Sequence, residues 1–139
     1  MTRLLTADQL LQKLDNLKAS TVPAIATAME LAALNVEGEA KKNCTPGSSP
    51  YYRAPYSDDN DPRRDPVHMR DTIKGTVEVQ STSVHGVVGT PKPYSLWVHE
   101  GTSRMQARPF ILDAIIAKDK DTRAILSDAL ERALKAECE

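Results

Sequence analysis

Aromatic residues are scarce in this chain: 139 residues include one Trp, one Phe and four Tyr. A core must therefore be built mainly from Leu, Ile, Val and Ala, without the large area that aromatic rings bury. Such a core is modest, and association with further copies would help it. Charge of one sign is missing too, with 18 basic against 19 acidic residues and a formal charge of -1. A protein that grips nucleic acid by neutralising phosphates carries a basic excess or stripe, so tight DNA or RNA binding is disfavoured. Cysteine is confined to Cys44 and Cys138, neither in a metal-ligand spacing. The expectation is two free thiols in a reducing cytoplasm. The N-terminal stretch MTRLLTADQLLQKL interrupts its leucines with polar residues, unlike a signal peptide. No later run is long enough to span a bilayer, so the expected place where the protein is made is the cytoplasm, with no membrane.

Catalytic devices are also missing. His99-Glu100 starts like a zinc-binding helix signature, but the position four residues on holds Ser103, and His68 and His85 stand alone in separate elements. Zinc needs three or four convergent ligands. No GxSxG elbow accompanies the serines, and the six glycines form no phosphate-cradling loop. Asp58, Asp59 and Asp61 run into Pro62 and two arginines, without the spacing of a calcium loop. The chain reads as a non-enzyme with no cofactor and no metal.

What is present is organised. Thr6-Ala7-Asp8-Gln9 has the form of a capping box, with Thr6 as N-cap and Gln9 reaching back. Leu10, Leu11, Leu14 and Leu17 then predict a short amphipathic helix from 7 to about 19. Ser20 or Thr21 followed by Pro23 predicts a second helix start. Ile25, Met29, Ala32, Val36 and Ala40 carry that helix to about 43, where Pro46-Gly47 ends it.

Residues 45–67 hold five of the nine prolines, with Tyr51, Tyr52, Tyr56, four aspartates and three arginines. Fully extended, they would reach roughly 75 Å. A mobile loop and an ordered interaction arm are both open readings; tyrosines, favoured at interfaces, speak for contact. Ile73, Gly75, Val77 and Val79 then alternate with Lys74, Thr76, Glu78 and Gln80, predicting a half-buried strand. A turn at Ser81-Thr82 leads into a second strand, 83–89. Tyr94, Leu96 and Val98 alternate with Ser95, Trp97 and His99 and predict a third short strand. Pro109 opens a long C-terminal helix with Phe110, Ile111, Ala114, Ile115, Leu126, Leu130 and Leu134 on its apolar face. Asp119/Arg123, Asp128/Arg132 and Glu131/Lys135 are acid-first i,i+4 pairs worth a few tenths of a kcal/mol each; they mark a solvated face. The order α-α-β-β-(β)-α predicts one α+β domain over 1–139, a small antiparallel sheet packed against N-terminal helices and a long C-terminal helix.

The stretch YSLWVHEGTSRMQARPF, from Tyr94 to Phe110, places the only Trp and the only Phe on either side of a polar bend. Gly101 permits a backbone that a β-carbon penalises. Thr102 and Glu100 can hydrogen-bond the turn. Trp97, Pro109 and Phe110 read as structural anchors, and His99, Glu100, Gly101, Thr102, Arg104, Met105 and Arg108 as a projecting contact loop. Tyr51, Tyr52 and Tyr56 would supply a second contact patch.

This pattern, Tyr94-x-x-x-Val98-x-Glu100-Gly101-Thr102 followed by Met105-x-Ala107-Arg108-Pro109-Phe110 and a long helix, resembles the signature of siphophage head–tail joining proteins. These are neck or tail-completion proteins of the lambdoid gp10-like type. Met69-Arg70-Asp71-Thr72-Ile73 is similar to that family's entry to its first strand, and the likeness spans roughly residues 22 to 135. At 45–67 the chain inserts a long loop where the family has a short connection. The resemblance implies a structural virion protein, without catalysis, assembling as a ring at the head–tail joint. Its partners would be copies of itself, portal-side connector proteins, and tail-tube or tail-terminator proteins. DNA would pass through the channel without specific binding. A ring needs two different patches per subunit, and the 45–67 and 99–108 segments are the candidates. The competing expectation is a small nucleic-acid-associated or regulatory protein of a mobile element, using Arg53, Arg63, Arg64, Arg104 and Arg108 around the tyrosines. A hydrolase would require a pocket converging on His99 and Glu100.

Overall fold

The capping box at Thr6 forms as the sequence implies: the Gln9 amide donates to Thr6 Oγ1 (3.4 Å) and the Thr6 amide to Gln9 Oε1 (3.1 Å). The computed structural model describes residues 6–44, 69–81, 83–104 and 106–138. From Thr6 a single helix, α1 (Ala7–Asn43), runs unbroken through Pro23. This corrects the expectation of two helices. Pro23 lacks an amide to donate, yet neighbouring hydroxyls bond within the helix around it, Ser20 to the Leu17 carbonyl and Thr27 to the Pro23 carbonyl, both at 3.1 Å. The joined helix is long and apolar enough, by length and composition alone, to cross a bilayer, which no segment was expected to be. The core helix of a soluble protein passes the same test, and the alanine stripe Ala28, Ala32, Ala33 and Ala40 of α1 is buried within the molecule.

A four-residue turn of helix, α2 (Met69–Thr72), leads into β1 (Lys74–Val79), which pairs antiparallel with β2 (Val84–Gly89) from Lys74 opposite Gly89 to Val79 opposite Val84. The Gln80 amide closes the hairpin on the Ser83 carbonyl at 2.8 Å, and the Thr72 and Thr90 hydroxyls meet at 2.6 Å across its base. The alternation read from β1 holds as far as Glu78: Ile73 is fully buried, Gly75 and Val77 are half-buried, and Lys74, Thr76 and Glu78 face out, whereas Val79, expected on the inner face, is 54% exposed at the strand end. The inward face lies on α1 so closely that a β-carbon on Gly75 would come within 2.9 Å of the Ala33 carbonyl oxygen. Glu37 of α1 accepts the Gly75 amide at 2.8 Å.

The third predicted strand is a helix, α3 (Ser95–Glu100). Tyr94 and Val98 are half-buried while Leu96 and Trp97 are exposed, a helical period that competes with alternation over so short a run. Pro91 and Pro93, which cannot donate to a sheet ladder, lie just before it and disfavour a strand there.

The last helix, α4 (Phe110–Cys138), starts beside the end of α1, where Asn43 Nδ2 donates to the Phe110 carbonyl at 3.1 Å. It returns along α1, with Lys118 3.9 Å from Glu39. All three i,i+4 pairs form on its outer face, at 2.8, 2.7 and 3.9 Å in chain order. The core joins Val36 and Ala40 of α1, Ile73 before β1, and Phe110 and Ala114 of α4, with Cys44, Met69, Val88, Val98 and Ile111 packed around them. The fold is α+β: a two-stranded antiparallel sheet packed with an N-terminal and a C-terminal helix. Cys44 is free, as expected, and burial pushes its thiol up to about 11, which keeps it protonated and unreactive; the thiol of Cys138 lies outside the described side chains.

Candidate functional site: a bend pinned to the core

The bend between α3 and α4 is made by few interactions. The Gly101 amide ends α3 on the Trp97 carbonyl at 2.8 Å, and Gly101 itself sits at φ 81, ψ 177. That region is essentially closed to side-chain-bearing residues, so the glycine is required by the backbone. Thr102 Oγ1 accepts the Arg104 amide at 3.3 Å, tightening the turn as its sequence suggests. The chain then returns, and the Arg108 amide donates to the Val98 carbonyl at 2.9 Å. This bond closes the bend at its base. Directly beyond it Phe110 is 3% exposed, and Pro109 accepts the Asp113 amide at 2.9 Å, starting α4.

Phe110 is thus an anchor, but Trp97 is not its partner. Trp97 is 61% exposed on α3 and points away from the core. The ring that packs on Phe110 belongs to His99, edge-on, with centroids 5.6 Å apart and planes at 77°. The helical phase of α3 explains the exchange: Tyr94 and Val98 take the inner positions, and Trp97 falls outward. Its exposure makes Trp97, with Leu96 beside it (56% exposed), part of the surface next to the bend. The signal for this was the i,i+4 spacing of Tyr94 and Val98 after a Pro-Lys-Pro step.

Of the residues singled out in the bend, Glu100, Thr102 and Arg104 are exposed, and His99, Gly101 and Arg108 are half-buried. They lie together on one outward turn. Met105 lies outside the described residues, as do Tyr51, Tyr52 and Tyr56 with the 45–67 segment. His99 and Glu100 do not line either of two open clefts: one borders the outer face of the hairpin at Lys74, Thr76 and Val87, the other lies between Pro23 of α1 and Val79. Among the described residues no three His, Cys, Asp or Glu side chains converge as metal ligands would.

The one strong electrostatic contact near the core lies outside the bend. Glu37 is held below the usual carboxylate range by its hydrogen bond from Lys41 and by the Gly75 amide, against the opposing effect of partial burial. It ties α1 to the start of β1.

A family model described as "Bacteriophage HK97-gp10, putative tail-component" matches residues 8–101, from the first turn of α1 to the glycine that opens the bend. Comparison with curated proteins and with solved structures finds no significant match.

Proposed function

This chain belongs to the HK97 gp10-like family of bacteriophage tail components, and on that premise we propose that it forms a ring at the joint between head and tail. Its coarse role, a structural component of the tail or neck of a bacteriophage virion, follows from the family. The finer reading has copies of this chain meeting head to tail around a channel. Portal-side connector proteins lie on one side and tail-tube or tail-terminator proteins on the other.

The observation that carries it is the distribution of apolar surface. Among the described residues eight hydrophobic side chains are buried, five of them alanine, while fourteen large hydrophobic ones are exposed. They include Leu10, Leu11 and Leu14 on α1, Leu96 and Trp97 on α3, and Leu112, Ile115 and Ile116 on α4. Clustered apolar residues such as Leu10, Leu11 and Leu14 on α1, or Leu96 and Trp97 on α3, support a surface that partners cover. The bend at 99–108 adds a shaped, polar projection whose base is bonded to the core, suited to fit a neighbour without reordering. Near-zero net charge is compatible with DNA sliding past without being held.

The test is assembly. Purified protein should sediment as a closed oligomer and show rings by negative-stain electron microscopy. Phage lacking it should accumulate filled heads and separate tails. A chain that remains monomeric at high concentration, or phage that join normally without it, would overturn the proposal.

A further inference from the structure

A two-stranded sheet leaves two edges, each a row of backbone donors and acceptors ready to pair with another strand. The register here fixes which residues those are. The Gly75 amide goes to Glu37 and not to β2, so Gly75, Val77 and Val79 present their backbone groups to the outer side of β1. Their opposite numbers on β2, Val88, Gly86 and Val84, do the same. Among the described residues the Gly75 amide is the only one of these groups with a hydrogen-bond partner. Within β2 itself there is no Lys, no Pro and no bulge to block pairing.

We propose that β2 of one copy pairs with the outer edge of β1 in the next copy, Val84 opposite Val79 and Gly86 opposite Val77, so that the hairpins join into one continuous antiparallel sheet. The inference rests on the ring reading above and names its contact. Three features select a second copy as the occupant. The two edges are different surfaces of one element, which is what a head-to-tail ring needs, whereas β2 pairing with β2 would stop at two copies. The charges also fit. In this register Glu78 of the next copy stands opposite His85, repeating the Glu78–His85 pair inside the hairpin, Lys74 falls opposite Gly89, and no like charges meet. Finally, Glu37 already occupies the Gly75 amide, which limits pairing to the Val77–Val79 end of the β1 edge. Val79, 54% exposed, lies at the seam, beside Val84 of the neighbouring copy.

The geometry has a consequence for the channel. α1 covers one face of the hairpin, leaving the face with Lys74, Thr76, Glu78, His85 and Val87 open. In a closed sheet with the helices outside, that face lines the opening with one lysine and one glutamate per copy.

Two single variants test the seam, each on a Cys138→Ser background with the half-buried Cys44, whose thiol is pushed up to about 11, left in place. Directly opposed residues of a hydrogen-bonded pair lie about 5.5 Å apart at Cα, within reach of a disulfide. Mild oxidation of an equimolar mixture of Val79→Cys and Val84→Cys should give a disulfide-linked dimer that neither variant forms alone. Independently, Val84→Pro removes one outward amide and no bond inside the hairpin. It should leave the circular dichroism and melting curve unchanged while lowering ring affinity at least tenfold. Rings that form without the mixed disulfide, or that survive Val84→Pro in a folded chain, overturn this contact and leave the ring reading standing. A wild-type chain that forms no ring at any concentration overturns both. If Val84→Pro fails to fold, the cross-link alone decides.

Discussion

Gly101 and Phe110 show how few residues hold the bend. At φ 81 and ψ 177 a β-branched side chain strains the backbone, so Gly101→Val should lose about 1–3 kcal/mol in a denaturant titration and block head–tail joining. Phe110→Ala empties the centre of the core cluster and should cost about 3–5 kcal/mol; unchanged midpoints for both would show the bend to be incidental. Glu37 gives a pH signature. Its pKa is lowered in the folded chain, so its contribution is complete above the unfolded carboxylate value and disappears as pH falls through the folded one. Glu37→Gln should flatten the acid limb of a stability–pH profile below about pH 4.5 and leave its alkaline side alone; an unaltered acid limb would remove this coupling between α1 and β1. At this scale the sequence was informative where chemistry is local: the glycine, the threonine turn and the buried Phe could be read directly. The packing of His99 on Phe110 could not, because it depends on the phase of α3 against a helix that follows the bend.

Elements were legible in proportion to their length. The capping box, the hairpin and α4 carry strong periodic signals and stand where those signals put them. Two elements differ, for different reasons. Pro23 after Ser20 and Thr21 reads as a helix start, but its fixed φ also suits a helix interior, and with the Ser20 and Thr27 hydroxyls bonded to helix carbonyls on either side α1 continues through it at a local cost. That cost is measurable: an interior proline is unfavourable by about 3 kcal/mol, partly offset by the stiffer unfolded chain. Pro23→Ala should therefore stabilise the protein by about 2 kcal/mol in thermal or denaturant melts, and no gain would show that α1 is already accommodated to the proline. In α3 six residues suit a strand or a helix equally, and the bond from Arg108 to Val98 spans the bend, beyond the reach of any alternation rule.

For the whole molecule the prediction is that assembly and folding separate. Deleting residues 48–64, which lie outside the described elements, should leave the melting transition in place while weakening ring formation; unchanged assembly would make that stretch a spacer. A salt-titrated DNA-binding assay should show no affinity that falls steeply with salt, whereas a steep slope would favour the nucleic-acid reading. By itself the sequence determined the class of fold, the residues of the bend and the shortage of core, because composition, periodicity and a glycine's backbone freedom are local properties. Only the tertiary structure decided that Trp97 faces solvent, that α1 is one helix and that, among the described residues, the sheet edges beyond Gly75 lack partners, because each depends on how distant segments pack.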